Sequence, residues 1–100
     1  MRDTPVAVVT GANSGIGRAT TIAFAQAGYR VFGTVRGLAK ADKLLAKARD
    51  IGVADRLQLI EMDVADSDSV TRGFGEIFAA TDLVDVLVNN AGVGGNAVTE

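Results

Sequence analysis

A doubly wound α/β domain, built on a parallel sheet with helices on both faces, is the fold class this 100-residue sequence predicts. Three observations carry it. Strand-like runs alternate with helix-period segments in the order β-α-β-α-β-α-β; the connections are short; and the first strand is a run rich in β-branched residues, as in a parallel sheet buried on both faces. Right-handed crossovers then give strand order 3-2-1-4, with the first two helices on one face and the third on the other.

The first strand is Val6-Ala7-Val8-Val9-Thr10, ended by Gly11. Beyond a glycine-rich stretch, Ile16, Ala19 or Thr20, Ala23 and Ala27 recur at helical spacing, and Gly28 supplies the C-terminal stop. This spacing predicts a mostly alanine inward face, small enough for the helix axis to lie close to the sheet. Arg30–Val35 is the second strand. Leu38, Ala41, Leu44, Leu45, Ala48 and Ile51 mark a second amphipathic helix with lysines outward.

Leu57–Glu61 is the third strand and runs into Met62-Asp63-Val64. Asp66, Ser67 and Asp68 suit a helix start, since short polar side chains cap free amides and acids favour the positive end of the helix dipole. Val70, Phe74, Ile77 and Phe78 give the third helix its apolar face, although Gly73 and Gly75 each cost it about 1 kcal/mol relative to alanine. Val84–Asn89 is the fourth strand, closed by Asn90-Ala91-Gly92. It is left as an open edge beside a half-covered face, so the pattern is that of an incomplete doubly wound domain.

Composition removes several chemistries. With no cysteine there is no disulfide, thiolate nucleophile or zinc-thiolate site, and with no histidine there is no Ser-His-Asp relay or imidazole base. The longest apolar run in the first thirty residues is Val6–Val9, too short for a membrane span or a signal-peptide core, so a soluble, cytoplasmic protein is expected. Residues 1–49 carry eight basic and two acidic side chains, and residues 50–100 carry two basic and ten acidic ones. The basic cluster Arg36, Lys40, Lys43, Lys47 and Arg49 contains no aromatic residue. It reads as a solvated helix face, with no nucleic-acid partner expected.

The turn Thr10-Gly11-Ala12-Asn13-Ser14-Gly15-Ile16-Gly17 joins the first strand to the first helix. Glycine suits places where a backbone bends tightly or meets a ligand closely. The free amides and dipole at the helix start then form an anion site suited to a pyrophosphate. The spacing is G-x-x-x-G-x-G and lacks the Gly-Lys-Ser/Thr ending of a P-loop. Nineteen positions after Gly17, where dinucleotide folds commonly hold an acid for the adenosine ribose, stands Arg36. A guanidinium there grips a 2′-phosphate that a carboxylate would repel, which predicts NADP(H) in preference to NAD(H). Asp63 follows the third strand on the ligand side, where its carboxylate can accept from an adenine amino group and Val64 can pack near the ring. Asp66 and Asp68 read as caps, and the three acids make no calcium loop.

Thr10-Gly11-Ala12-Asn13-Ser14-Gly15-Ile16-Gly17, Asp63-Val64 and Asn89-Asn90-Ala91-Gly92 together resemble the short-chain dehydrogenase/reductase family, in order and spacing along the whole chain. The resemblance implies a Rossmann-like fold that binds NAD(P)(H) and moves a hydride between the nicotinamide and an alcohol or carbonyl substrate. By that pattern Gly11, Asn13, Ser14, Gly15, Ile16 and Gly17 surround the pyrophosphate and adjacent ribose. Arg36 marks NADP, Asp63 and Val64 contact adenine, and Asn90, Ala91 and Gly92 line the adenosine side. The family's Ser and Tyr-x-x-x-Lys have no counterpart here: Gly33 stands four residues after the one tyrosine, Tyr29, and neither Ser nor Lys follows Gly92. No catalytic residue is therefore assigned. Residues 1–100 are expected to be the N-terminal part of one dinucleotide-binding domain, apparently truncated, inactive alone and of marginal stability. When full length, it is expected to form a homo-oligomer acting on a small alcohol or carbonyl. The alternative is a non-catalytic nucleotide-binding module or inactive fragment.

Overall fold

The computed structural model describes residues 4–90. Four parallel strands form the sheet: β1 (Val6–Val9), β2 (Arg30–Val35), β3 (Leu57–Glu61) and β4 (Val86–Val88), in the order β3-β2-β1-β4. The bounds of β2 and β3 are those the sequence predicts. The helices are α1 (Gly15–Gln26), α2 (Asp42–Asp50) and α3 (Ser67–Ala80). Two short 3-10 turns, Leu38–Lys40 and Ala54–Arg56, precede α2 and β3.

Strand alternation divides the core in two. Val9, Val31 and Val35 point to the side covered by α1 and α2, where they meet Ile22, Ala25, Leu44 and Ala48. Val6, Val8, Phe32 and Ile60 point to the other side, against Ile77 of α3. The predicted assignment of helices to faces is observed. Gly28, at φ 99°, ends α1, and its N–H bonds to Ala25 O at 3.1 Å.

Four predictions need correction. The inward face of α1 is Gly17, Thr21, Ile22 and Ala25, not the line from Ile16 through Ala19 and Ala23 to Ala27. Ile16 is 75% exposed, and Ala19, Ala23 and Ala27 are also exposed. The contact with the turn sets the phase of α1: Gly17 rests where a Cβ would strike Gly11 O, and Thr21 and Ile22 are buried on the same side. The second helix begins at Asp42, after a separate 3-10 turn that leaves Leu38 exposed, while Ala41, Leu44 and Ala48 are buried. On α3 the buried line is Ser69, Gly73 and Ile77; Phe78 faces out and stacks on half-buried Phe74 at 6.3 Å. Gly73 lets buried Met62 pack close, since a Cβ there would meet the methionine Cε and force its flexible end to shift. Finally, β4 is shorter than Val84–Asn89. At its start the Asp85 carboxylate accepts the Val6 N–H at 2.7 Å, so a side chain stands in for a ladder bond.

Candidate functional site

The β1–α1 connection turns sharply at Gly11, whose φ of 63° is open to glycine at no steric cost. Its carbonyl is the hub of the turn, accepting from Ser14 N at 3.2 Å, Ser14 Oγ at 2.9 Å and Asn90 Nδ2 at 3.2 Å. Ser14 is the N-cap of α1: its hydroxyl accepts from Gly17 N at 3.2 Å and from Asn90 Nδ2 at 2.9 Å. Both lone pairs and the proton of one hydroxyl are thereby used.

Two further anchors hold the turn. Ala12 donates its N–H to Thr34 O at 2.9 Å, and Arg18 Nη1 donates to Asn13 O at 3.1 Å. Ala12 lies so close to the sheet because Gly33 faces it: a Cβ on Gly33 would come within 2.9 Å of the Ala12 Cβ. On the other side of β1, Thr10 takes Val88 O through its N–H at 3.0 Å, and its hydroxyl donates to Asn89 Oδ1 at 3.2 Å.

The N–H groups of Gly15 and Ile16, which follow the cap, make no hydrogen bond among the described residues. They are the first-turn donors that a helix cannot pair internally, and they carry the positive end of the α1 dipole. A Cβ built on Gly15 meets nothing within 4 Å, so no protein packing demands glycine there. Gly17 is the opposite case, held by packing against Gly11 O and lying where a Cβ would be 2.6 Å from Asn90 Nδ2.

An open cleft of about 650 Å³ lies beside the turn at the C-terminal ends of β1, β2 and β3. Its walls are Gly11, Asn13, Ser14, Val35, Arg36, Gly37 and Asp63. Five sequence-assigned residues, Gly11, Asn13, Ser14, Arg36 and Asp63, thus come together from three separate segments. Arg36 is exposed, with no hydrogen-bond or ion-pair partner among the described residues. Asp63 spends Oδ1 on the Ala65 N–H at 3.0 Å, and its own N–H donates to Ser69 Oγ at 2.8 Å, which fixes the carboxylate at the end of β3.

Gly15, Ile16, Gly17, Val64 and Asn90 are not among the cleft walls, although the first three form the start of α1 beside it. Val64 is half-buried beside Asp63. Asn90 faces the back of the turn, with its amide committed to Gly11 and Ser14. Ala91 and Gly92 lie outside the described residues. The sequence assigns a site role to Arg36 but not to its neighbours Val35 and Gly37, and it does not predict the Gly33–Ala12 contact. A glycine inside an otherwise β-branched strand was the available signal for that contact.

The parallel sheet in the order 3-2-1-4 with flanking helices defines a Rossmann-like α/β protein. The chain belongs to the short-chain dehydrogenase family, whose family model matches residues 5–100. It is 41% identical over 88 residues to a farnesol dehydrogenase of Aedes aegypti, covering 88% of this chain and 36% of that protein. Among solved structures, a metagenomic short-chain oxidoreductase in complex with NADP superposes with a TM-score of 0.80 at 37% identity, covering 90% of this chain and 40% of the other. A mutant actinorhodin polyketide ketoreductase with NADPH gives a TM-score of 0.82 at 34% identity, covering 98% and 37%. The chain spans about a third of the length of the curated relatives it matches.

Proposed function

We propose that this chain is the cofactor-binding part of an NADP(H)-dependent oxidoreductase acting on a small alcohol or carbonyl. The observation that carries this reading is the pair of unbonded amides at Gly15 and Ile16, next to a cleft walled by Arg36 and Asp63. In this reading, the amides and the α1 dipole hold the pyrophosphate. Gly15 leaves room for its approach. Arg36 takes a 2′-phosphate through paired charge-assisted hydrogen bonds, and the remaining carboxylate oxygen of Asp63 accepts from the adenine amino group. Bound there, the cofactor would supply or accept the hydride.

Asn90 contributes indirectly by fixing Gly11 and Ser14. Two structural relatives, solved with NADP and with NADPH, support the cofactor class. The proton transfer that accompanies hydride movement is assigned to no residue of this chain. Tyr29 is half-buried and packs its ring edge-on against Phe24 at 4.8 Å, against the core on the α1–α2 side of the sheet.

Titration calorimetry of the purified chain with NADPH and with NADH tests the reading. NADPH should bind, and bind more tightly than NADH; equal affinities or a preference for NADH would remove the role given to Arg36. A carbonyl-reduction assay on the same sample should give no turnover, and turnover would overturn the absence of a proton donor.

A further inference from the structure

A second concavity runs between α1 and α2; it shares no wall with the cleft, although Gly15, whose amide the proposed function gives to the pyrophosphate, lies at its edge. It encloses about 470 Å³ and is lined by Gly15, Arg18, Ala19, Ile22, Lys43 and Lys47. Three of those six residues are cationic. None of the three has an ion-pair partner among the described residues. Lys43 and Lys47 stand one turn apart on α2, a like-charge spacing that works mildly against the helix, and Arg18 joins them across the groove. Arg18 spends Nη1 on Asn13 O, leaving other guanidinium donors uncommitted. The floor is apolar, lined by Ile22, which is largely buried, and by exposed Ala19. A chain whose net charge is −2 therefore keeps an uncompensated positive rim around an apolar trough.

We propose that the α1–α2 groove is a binding site for a small amphiphilic anion, with a carboxylate or phosphate head between Arg18, Lys43 and Lys47 and an apolar body over Ala19 and Ile22. Neither part suffices alone. An inorganic anion would gain only screened attraction from exposed cations, and a neutral alkyl chain would leave three like charges facing one another. The combination offsets the mutual repulsion and removes apolar surface from water.

The test is a titration of the full chain followed through the Ile22 methyl resonance. The probes are octanoate and octyl phosphate below their micellar concentrations, with octan-1-ol and inorganic phosphate as controls. At least one anionic probe should shift Ile22 saturably, and whichever binds more tightly identifies the preferred head group. Each control should bind roughly tenfold more weakly, and the double variant Lys43→Gln/Lys47→Gln should weaken the anion about fivefold. Glutamine keeps helix propensity, so α2 should remain folded. Ala19→Glu, at an exposed position, should abolish binding by putting a carboxylate in the trough. The shift should persist under saturating NADPH. The proposal fails if neither anion moves Ile22 at millimolar concentration, if octan-1-ol binds equally, or if the lysine variants leave the affinity unchanged. It also fails if NADPH displaces the probe.

Discussion

The side-chain amide of Asn90, beyond the end of β4, donates to Ser14 Oγ at 2.9 Å, and the same nitrogen reaches Gly11 O at 3.2 Å. One carboxamide thus joins residues 76 and 79 positions away in sequence and fastens the last described strand to the turn at the start of α1. Asn90 braces the β1–α1 turn from behind.

That contact makes Asn90 and Ser14 an energetically coupled pair. Each of Asn90→Ala and Ser14→Ala should cost about 1 kcal/mol, the second through loss of the helix cap. Urea unfolding of both single variants and the double variant should give a coupling of about 0.5 kcal/mol or more. Strict additivity would mean that the hydrogen bond contributes nothing.

Gly17→Ala should be far more damaging than its one added methyl suggests. The new Cβ would strike the Gly11 carbonyl and stand 2.6 Å from Asn90 Nδ2, so the turn and α1 must part. Overpacking of this kind costs roughly 1–3 kcal/mol. Gly15→Ala meets nothing and should leave the melting temperature nearly unchanged while weakening NADPH. Thermal melts and NADPH titration of the two variants separate packing glycine from binding glycine.

Arg36→Asp should also separate affinity from stability, and by cofactor. The residue is exposed and bonds to nothing among the described residues, so unfolding free energy should change by about 0.5 kcal/mol at most. NADPH affinity should fall about tenfold or more, because a charge-assisted grip becomes a repulsion, while NADH affinity holds or rises. Parallel titrations with the two cofactors read the change.

The sheet was legible because its signals are local. Short apolar runs between helix-period segments gave Arg30–Val35 and Leu57–Glu61 to the residue, and the right-handed crossover rule ordered the strands. The phase of α1 was not legible, since it is set by a tertiary demand: Gly17 must face the Gly11 carbonyl, where no Cβ fits. Ile16 therefore lies in solvent, although its hydrophobicity argued for the core. The convergence of Gly11, Ser14, Arg36 and Asp63 followed from strand order alone. The direction of the Asn90 amide and the fit of Ala12 over Gly33 depend on distances that no spacing rule contains.

The central claim is that the start of α1 seats a diphosphate. Backbone amide resonances of the full chain, followed by NMR as NADPH is added, test it most directly. The largest shifts should fall on Gly15 and Ile16, with smaller ones at Arg36 and Asp63. Saturable binding that leaves Gly15 and Ile16 unmoved, or no binding at all, would contradict the account.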